Sequence, residues 1–238
     1  MSSKIQRLLG YSFAAYIRFV AGTIRAHIHE GNRFQALIQS QAPVVCVGFH
    51  GQHRLATAIT RYLEITHNKP ISGIVAGDQR QEMLESLSRK LGYKTYAIDM
   101  NENSFGSARE LLRAINDLKS RQVACLVLAV DGPDGPVYVP KPGAAYIARR
   151  AEAWIVPMAL TSPQAFILRH RWDQMAIPVP YSDVHLYFGQ PMATTATMQI
   201  DDILSRISES IKLATKKVET LAARYSGKER SPISESTP

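Results

Sequence analysis

Cysteine is scarce: the 238 residues hold only Cys46 and Cys125. Both fall inside apolar runs that read as strands. That excludes a disulfide framework and leaves buried, reduced thiols as the expectation. No run approaches the roughly 18 uncharged apolar residues that a membrane-spanning helix needs. The N-terminus has no long uncharged core followed by a small-residue cleavage site, so no secretory signal is expected. No cluster of Cys and His has metal-ligand spacing, and neither a metal nor another bound cofactor is expected. Internal repeats are absent.

Acidic residues are outnumbered. Lys and Arg total 28 against 20 Asp and Glu, a formal net charge of +8. The pI is near 9.6. Such a balance favours phosphate-bearing partners: nucleic acid, an anionic membrane surface or a phosphorylated substrate. No interleaved aromatic and basic motif supports nucleic acid, so no such partner is expected. The length and the 45% hydrophobic content suit one large α/β domain with a full core.

What is present begins with a proline-free segment, KIQRLLGYSFAAYIRFVAGTIRAHI, which reads as one helix across residues 4–28. At about 100° per residue, Lys4, Arg7, Arg18 and Arg25 fall within an arc of roughly 60°. Leu9, Phe13, Tyr16 and Val20 lie opposite. Such a helix suits either a lipid interface or the domain's own core. Residues 1–30 are therefore set apart as an amphipathic helix, residues 31–225 as the α/β domain, and residues 226–238 as a polar, disordered tail.

Within the domain, β-rich runs alternate with helical periodicity. VVCVGF, ISGIVAG, KTYAI, ACLVLAV and WIVPMAL read as strands, with VHLYFGQPM as one more, at an edge. Helices fall between them, one stopping at Gly92 and one starting at Gly143. The pattern predicts a mainly parallel sheet flanked by helices on both faces. In such sheets ligands collect beyond the carboxyl ends of the strands. Three segments stand there: HGQHR, DQRQE and DGPDGP.

His50 ends one strand just before a helix, where an imidazole titrating near neutrality suits a general base. The block from Asp131 to Gly143 is stiffer. Gly132 and Gly135 allow tight turns or close approach to a ligand, and Pro133, Pro136, Pro140 and Pro142 fix φ. Asp131 is placed to hold a histidine or to organise loop amides, and Lys141 supplies a cation.

Taken together, FHGQHRL, AVDGPDGPVYVPKPGAAYIARRAEAWIVPMAL and RHRWDQMAIPVPYSDVHLYFGQPM resemble the lysophospholipid acyltransferase-like superfamily. Within it, they resemble a bacterial branch known mainly as a domain of unknown function. The resemblance implies an acyltransferase-like α/β fold, with an acyl chain moving from acyl-CoA or acyl carrier protein to a hydroxyl of a lysophospholipid or similar acceptor. It implies His50 as base, Asp131 where the family's acceptor-binding block has its glutamate, and an acceptor site drawing on Arg80, Glu82, Gly132, Pro133, Gly135 and Lys141. It also implies peripheral attachment to anionic lipids at the cytoplasmic face of the inner membrane. The family's orienting aspartate, five positions after its histidine, is Leu55 here, so that carboxylate comes from elsewhere or is missing. Asp99 and Glu102 make acidic a loop that the branch fills with arginine and serine. The alternative is a non-catalytic lipid-binding protein that kept the fold.

Overall fold

The computed structural model describes residues 2–63, 69–99, 105–132 and 134–228. Five strands form the parallel body of the sheet: β2 (Val44–Gly48), β3 (Ile71–Ala76), β4 (Lys94–Ile98), β5 (Cys125–Ala129) and β6 (Trp154–Thr161). They are joined by β1 (Arg25–His29), β9 (Asp183–Phe188) and β10 (Met192–Ala193). The order is β1-β9-β6-β2-β5-β3-β4, with β10 paired antiparallel to the start of β6. β9 runs antiparallel to β6, and β1 runs parallel to β9. A separate two-stranded hairpin, β7 (Phe166–Ile167) and β8 (Ala176–Ile177), lies between β6 and β9 in sequence. The α/β class and the mainly parallel, helix-flanked sheet are as expected.

The central strand β2 is buried along its whole length, which is why its sequence is apolar at every position. Its side chains alternate between two cores. Val45 and Val47 pack with Ile115 and Leu118 of α5 (Phe105–Lys119), Ile147 of α6 (Gly143–Ala151), and Ile207 and Ile211 of α7 (Ile200–Lys228). Val44 and Cys46 face the other way. They pack with Val20 of α1 (Ser3–Ala21), Phe34 of α2 (Asn32–Gln39), and Leu55 and Ile59 of α3 (His53–Ile59). Cys46 and Cys125 are buried and free. A hydrogen bond with Cys125, together with burial, pushes the Cys46 thiol up and keeps it protonated.

Several elements differ from the sequence reading. The first helix stops at Ala21, and RAHIH leaves it to form β1. Arg25 therefore departs from the cationic stripe and binds Asp183 in β9 through two hydrogen bonds. The hydrophobic period carries on past residue 21, but Thr23, Ile24 and Ile28 are β-branched and suit a strand. Because β1 occupies the edge, β9 is an interior strand. The helix α2 lies in a segment that the periodicity left unassigned. The last helix continues to Lys228; the remainder of the expected tail, residues 229–238, lies outside the described residues.

The cationic stripe of α1 turns toward α4 (Gln81–Leu91) rather than outward. Arg7 pairs with Glu82 at 3.2 Å, and the Arg18 guanidinium donates to the Lys90 carbonyl. Of the expected apolar face, Val20 is buried in the core, the Tyr16 hydroxyl donates to the Pro178 carbonyl, and Phe13 packs under Arg54. Among the described residues no helix is long and apolar enough to cross a membrane.

Candidate functional site

His50 stands one residue past the extended Phe49 that leaves β2, in a single 3-10 turn, His50–Gln52, that leads into α3. Asp131 follows the neighbouring strand β5 by two residues. The two residues meet, but through the backbone. The His50 amide N–H donates to Asp131 Oδ1 at 2.7 Å, and the Tyr138 amide donates to Oδ2 at 3.2 Å. Asp131 is fully buried. It thus ties the end of β2 to the 131–138 loop, while the Lys141 amide closes the loop on the Val130 carbonyl.

The imidazole has a different partner. His50 Nδ1 lies 2.7 Å from Asp173 Oδ2. A carboxylate only accepts, so Nδ1 carries the proton, and in the neutral ring Nε2 is the nitrogen with the lone pair. Nε2 has no hydrogen-bond partner among the described residues. Asp173 comes from the turn between β7 and β8, and its side chain is inaccessible to solvent. Arg171 grips it with two further bonds, Nε to Oδ1 at 2.9 Å and the terminal nitrogen to Oδ2 at 3.1 Å. Burial alone would push the Asp173 carboxyl up, but the hydrogen bonds and positive charges of Arg171 and His50 together hold it below the usual carboxylate range. The structure therefore contains an Arg171–Asp173–His50 chain, with the histidine at the mouth of the central strands.

The ring is boxed by close packing. A Cβ on Gly132 would sit 2.8 Å from His50 Cδ2, so only glycine lets the loop lie against the imidazole. Gly135 has a φ of +75°, and a Cβ there would meet Trp172 at 2.8 Å. The Trp172 ring centroid lies 5.4 Å from that of His50. His53, one turn on, is held far below the ordinary imidazole range, at about 3, chiefly by burial and then by the Arg54 charge, so it stays neutral. The Gln52 side chain accepts from the Leu160 amide at 2.9 Å and fixes the turn against β6.

The other expected binding residues are distributed differently. Arg80 folds back on Asp78, two residues away, with several hydrogen bonds, and Glu82 is taken by Arg7. Both therefore stabilise the start of α4. Pro133 and Glu102 lie outside the described residues. His50, Asp131, Gly132 and Gly135 are brought together; Asp173 and Arg171 join them from more than 120 residues beyond His50 in sequence.

Asp131 carries a stability prediction. Asp131→Ala leaves the His50 and Tyr138 amides without their acceptor, at about 1–3 kcal/mol for each buried donor. Urea denaturation should therefore show a loss of at least about 2 kcal/mol, with Asp131→Asn between the variant and the parent. A change within the scatter of surface substitutions would mean that the loop is organised by other contacts.

No protein-family model matches the chain. It is similar to the uncharacterized protein RP090 of Rickettsia prowazekii, with 25% identity over 203 residues, covering 83% of this chain and 88% of that protein. It is also similar to the crystal structure of the 1-acyl-sn-glycerophosphate (LPA) acyltransferase PlsC from Thermotoga maritima. There the identity is 14%, the TM-score 0.37, and the cover 93% of this chain and 97% of that one.

Proposed function

We propose that the chain is an acyltransferase that moves an acyl group from a thioester, acyl-CoA or acyl carrier protein, to the hydroxyl of a lysophospholipid or similar acceptor. The observation that carries this reading is the His50–Asp173 pair: an imidazole whose Nδ1 lies 2.7 Å from a buried carboxylate and whose Nε2 has no hydrogen-bond partner among the described residues. That is the arrangement of a base held by an orienting group. The acceptor hydroxyl gives its proton to Nε2 as its oxygen attacks the thioester carbonyl. Backbone amides of the loop around Gly132 and Gly135, which lies against the ring, would receive the resulting oxyanion. Collapse breaks the carbon–sulfur bond, and the leaving thiolate takes the proton back from the imidazolium. The products are an ester and a free thiol, and no cofactor enters the balance.

Peripheral attachment to anionic lipid at the cytoplasmic face of the inner membrane belongs to the same proposal. Its support is a stripe of α1 that shares only Leu9 with the one the sequence suggested: Leu8 and Phe19 are 65% and 56% exposed, with Ile5 and Leu9 beside them. Four large apolar side chains on one helix surface suit a lipid interface.

A single experiment tests both parts. The purified chain is mixed with labelled acyl-CoA and vesicles that hold a lysophospholipid in anionic lipid. Free thiol and diacyl product should appear in equal amounts. Leu8→Ser with Phe19→Ser should weaken vesicle sedimentation about tenfold. Thiol without product would identify a hydrolase, and neither thiol nor product would end the acyltransferase reading. Unchanged sedimentation would remove α1 from the membrane.

A further inference from the structure

Arg54 is the residue that the dyad leaves unexplained. It sits on the first turn of α3, four residues after His50. Among the described residues its Nε, shut off from solvent, has no hydrogen-bond partner. Among the described residues the guanidinium makes no ion pair within bonding distance; it lies over the face of Phe13, 5.1 Å from the ring centroid. That contact uses the flat face of the group and leaves its edge donors unused. A partly buried guanidinium without an anion is costly, because arginine does not escape by losing its proton. Burial and the charge of Arg171 bring Arg54 down to about 10, still cationic at neutral pH.

The local charge does not balance. The carboxylate that acts on Arg54 is Asp173, and both of its oxygens are already bonded, to Arg171 and to His50. His53 beside it is neutral. Two guanidinium groups thus face one carboxylate around a histidine with a free Nε2. This surplus sits on the side of the site formed by α1, α3 and the β7–β8 turn. Arg80, which the sequence suggested as an anion ligand, is already neutralised by Asp78.

We infer that Arg54 is a phosphate-binding residue of the site: a phosphate ester carried by a substrate takes the unused donors of Arg54 while the reacting group lies at His50. Arg171 lends charge to the same place but spends one edge of its guanidinium on Asp173. The shared chemistry is a phosphate ester, borne either by the acceptor headgroup or by the pantetheine arm of the donor. Which substrate carries it rests on the acyltransferase reading; the anion site itself does not.

The test has a binding arm and a turnover arm. Inorganic phosphate is titrated into the full chain labelled with 15N-arginine, against sodium chloride at equal ionic strength. The Nε–Hε resonance of Arg54 should shift and saturate with phosphate only. This arm uses the unsubstituted protein, so it holds even if a variant fails to fold. No shift, or the same shift with chloride, overturns the inference. In the turnover arm Arg54→Gln and Arg54→Lys are compared on paired substrates: lysophosphatidate against monoacylglycerol as acceptor, and acyl-CoA against an acyl N-acetylcysteamine thioester as donor. Arg54→Gln should lose roughly 10- to 100-fold of the KM preference for the phosphate-bearing member of one pair, with kcat much less affected, and Arg54→Lys should recover part of it. Loss on the acceptor pair assigns the phosphate to the acceptor, and loss on the donor pair assigns it to pantetheine. Equal effects on both members of both pairs would make Arg54 a packing residue. A phosphate-specific shift in a protein that transfers no acyl group would keep the anion site and discard the acyltransferase.

Discussion

Asp173→Asn should lower kcat/KM for acyl transfer by roughly 10²- to 10⁴-fold while the protein stays folded. The reason lies in the donors that converge on this side chain. Arg171 presents two N–H groups and His50 presents one, and all three point at carboxylate oxygens. An asparagine offers one oxygen and one NH2. If its oxygen faces His50, its NH2 opposes a donor of Arg171, and no negative charge remains to stabilise the imidazolium formed during proton transfer. If its NH2 faces His50, Nδ1 must accept, the ring proton moves to Nε2, and the base is lost. Either orientation disables the chemistry. The pH dependence of stability should differ as well. The Asp173 carboxyl is held below its ordinary value in the folded chain. Its contribution is therefore present above the unfolded value of about 3.9 and is lost as pH falls through the folded one. Thermal melts should show parent and variant differing most at neutral pH and converging below about pH 4. Wild-type turnover in the variant would show that Asp173 serves the fold alone.

That carboxylate was not legible in the sequence, whereas the histidine was. His50 follows an unbroken β-rich run and precedes a helical period, and a residue so placed stands at the carboxyl end of a parallel strand. Asp173 sits in RHRWDQM, between two-residue strands too short to leave a period, and its distance from His50 is fixed only by tertiary packing. The one signal was negative: Leu55 occupies the position of the expected aspartate, and it lies buried in the core under β2, where a carboxylate would be stranded. Asp131 was legible as a residue but not in its role. Strand-end placement brings it to the histidine; whether it meets the ring or the backbone depends on Gly132 lying flat against the imidazole, a contact that residue type alone does not specify. The helix α1 was overextended for a related reason. Its apolar period runs on through Thr23, Ile24 and Ile28, and the pairing of RAHIH with β9 across some 150 residues decides the matter.

The largest effect should belong to His50→Ala, which should remove acyl transfer by on the order of 10³-fold or more and leave the thermal midpoint within a few degrees of the parent. The two halves of that expectation come from different atoms of the same residue. The backbone N–H of residue 50, bonded to Asp131 Oδ1, survives the substitution, so the join between β2 and the 131–138 loop is kept. The side chain lost was a donor to Asp173, whose charge Arg171 still holds through two bonds. Removing the ring opens space against Gly132 and Trp172 at a partly exposed position, where water can enter. With His50 as the base, the acid limb of the wild-type rate profile should follow a single proton, with a slope of one. A second proton in that limb would mean that another group shares the base's work. Transfer that persists in His50→Ala would detach the imidazole from the reaction, and the buried aspartate and its arginine would then be a packed ion pair beneath a lipid-binding surface.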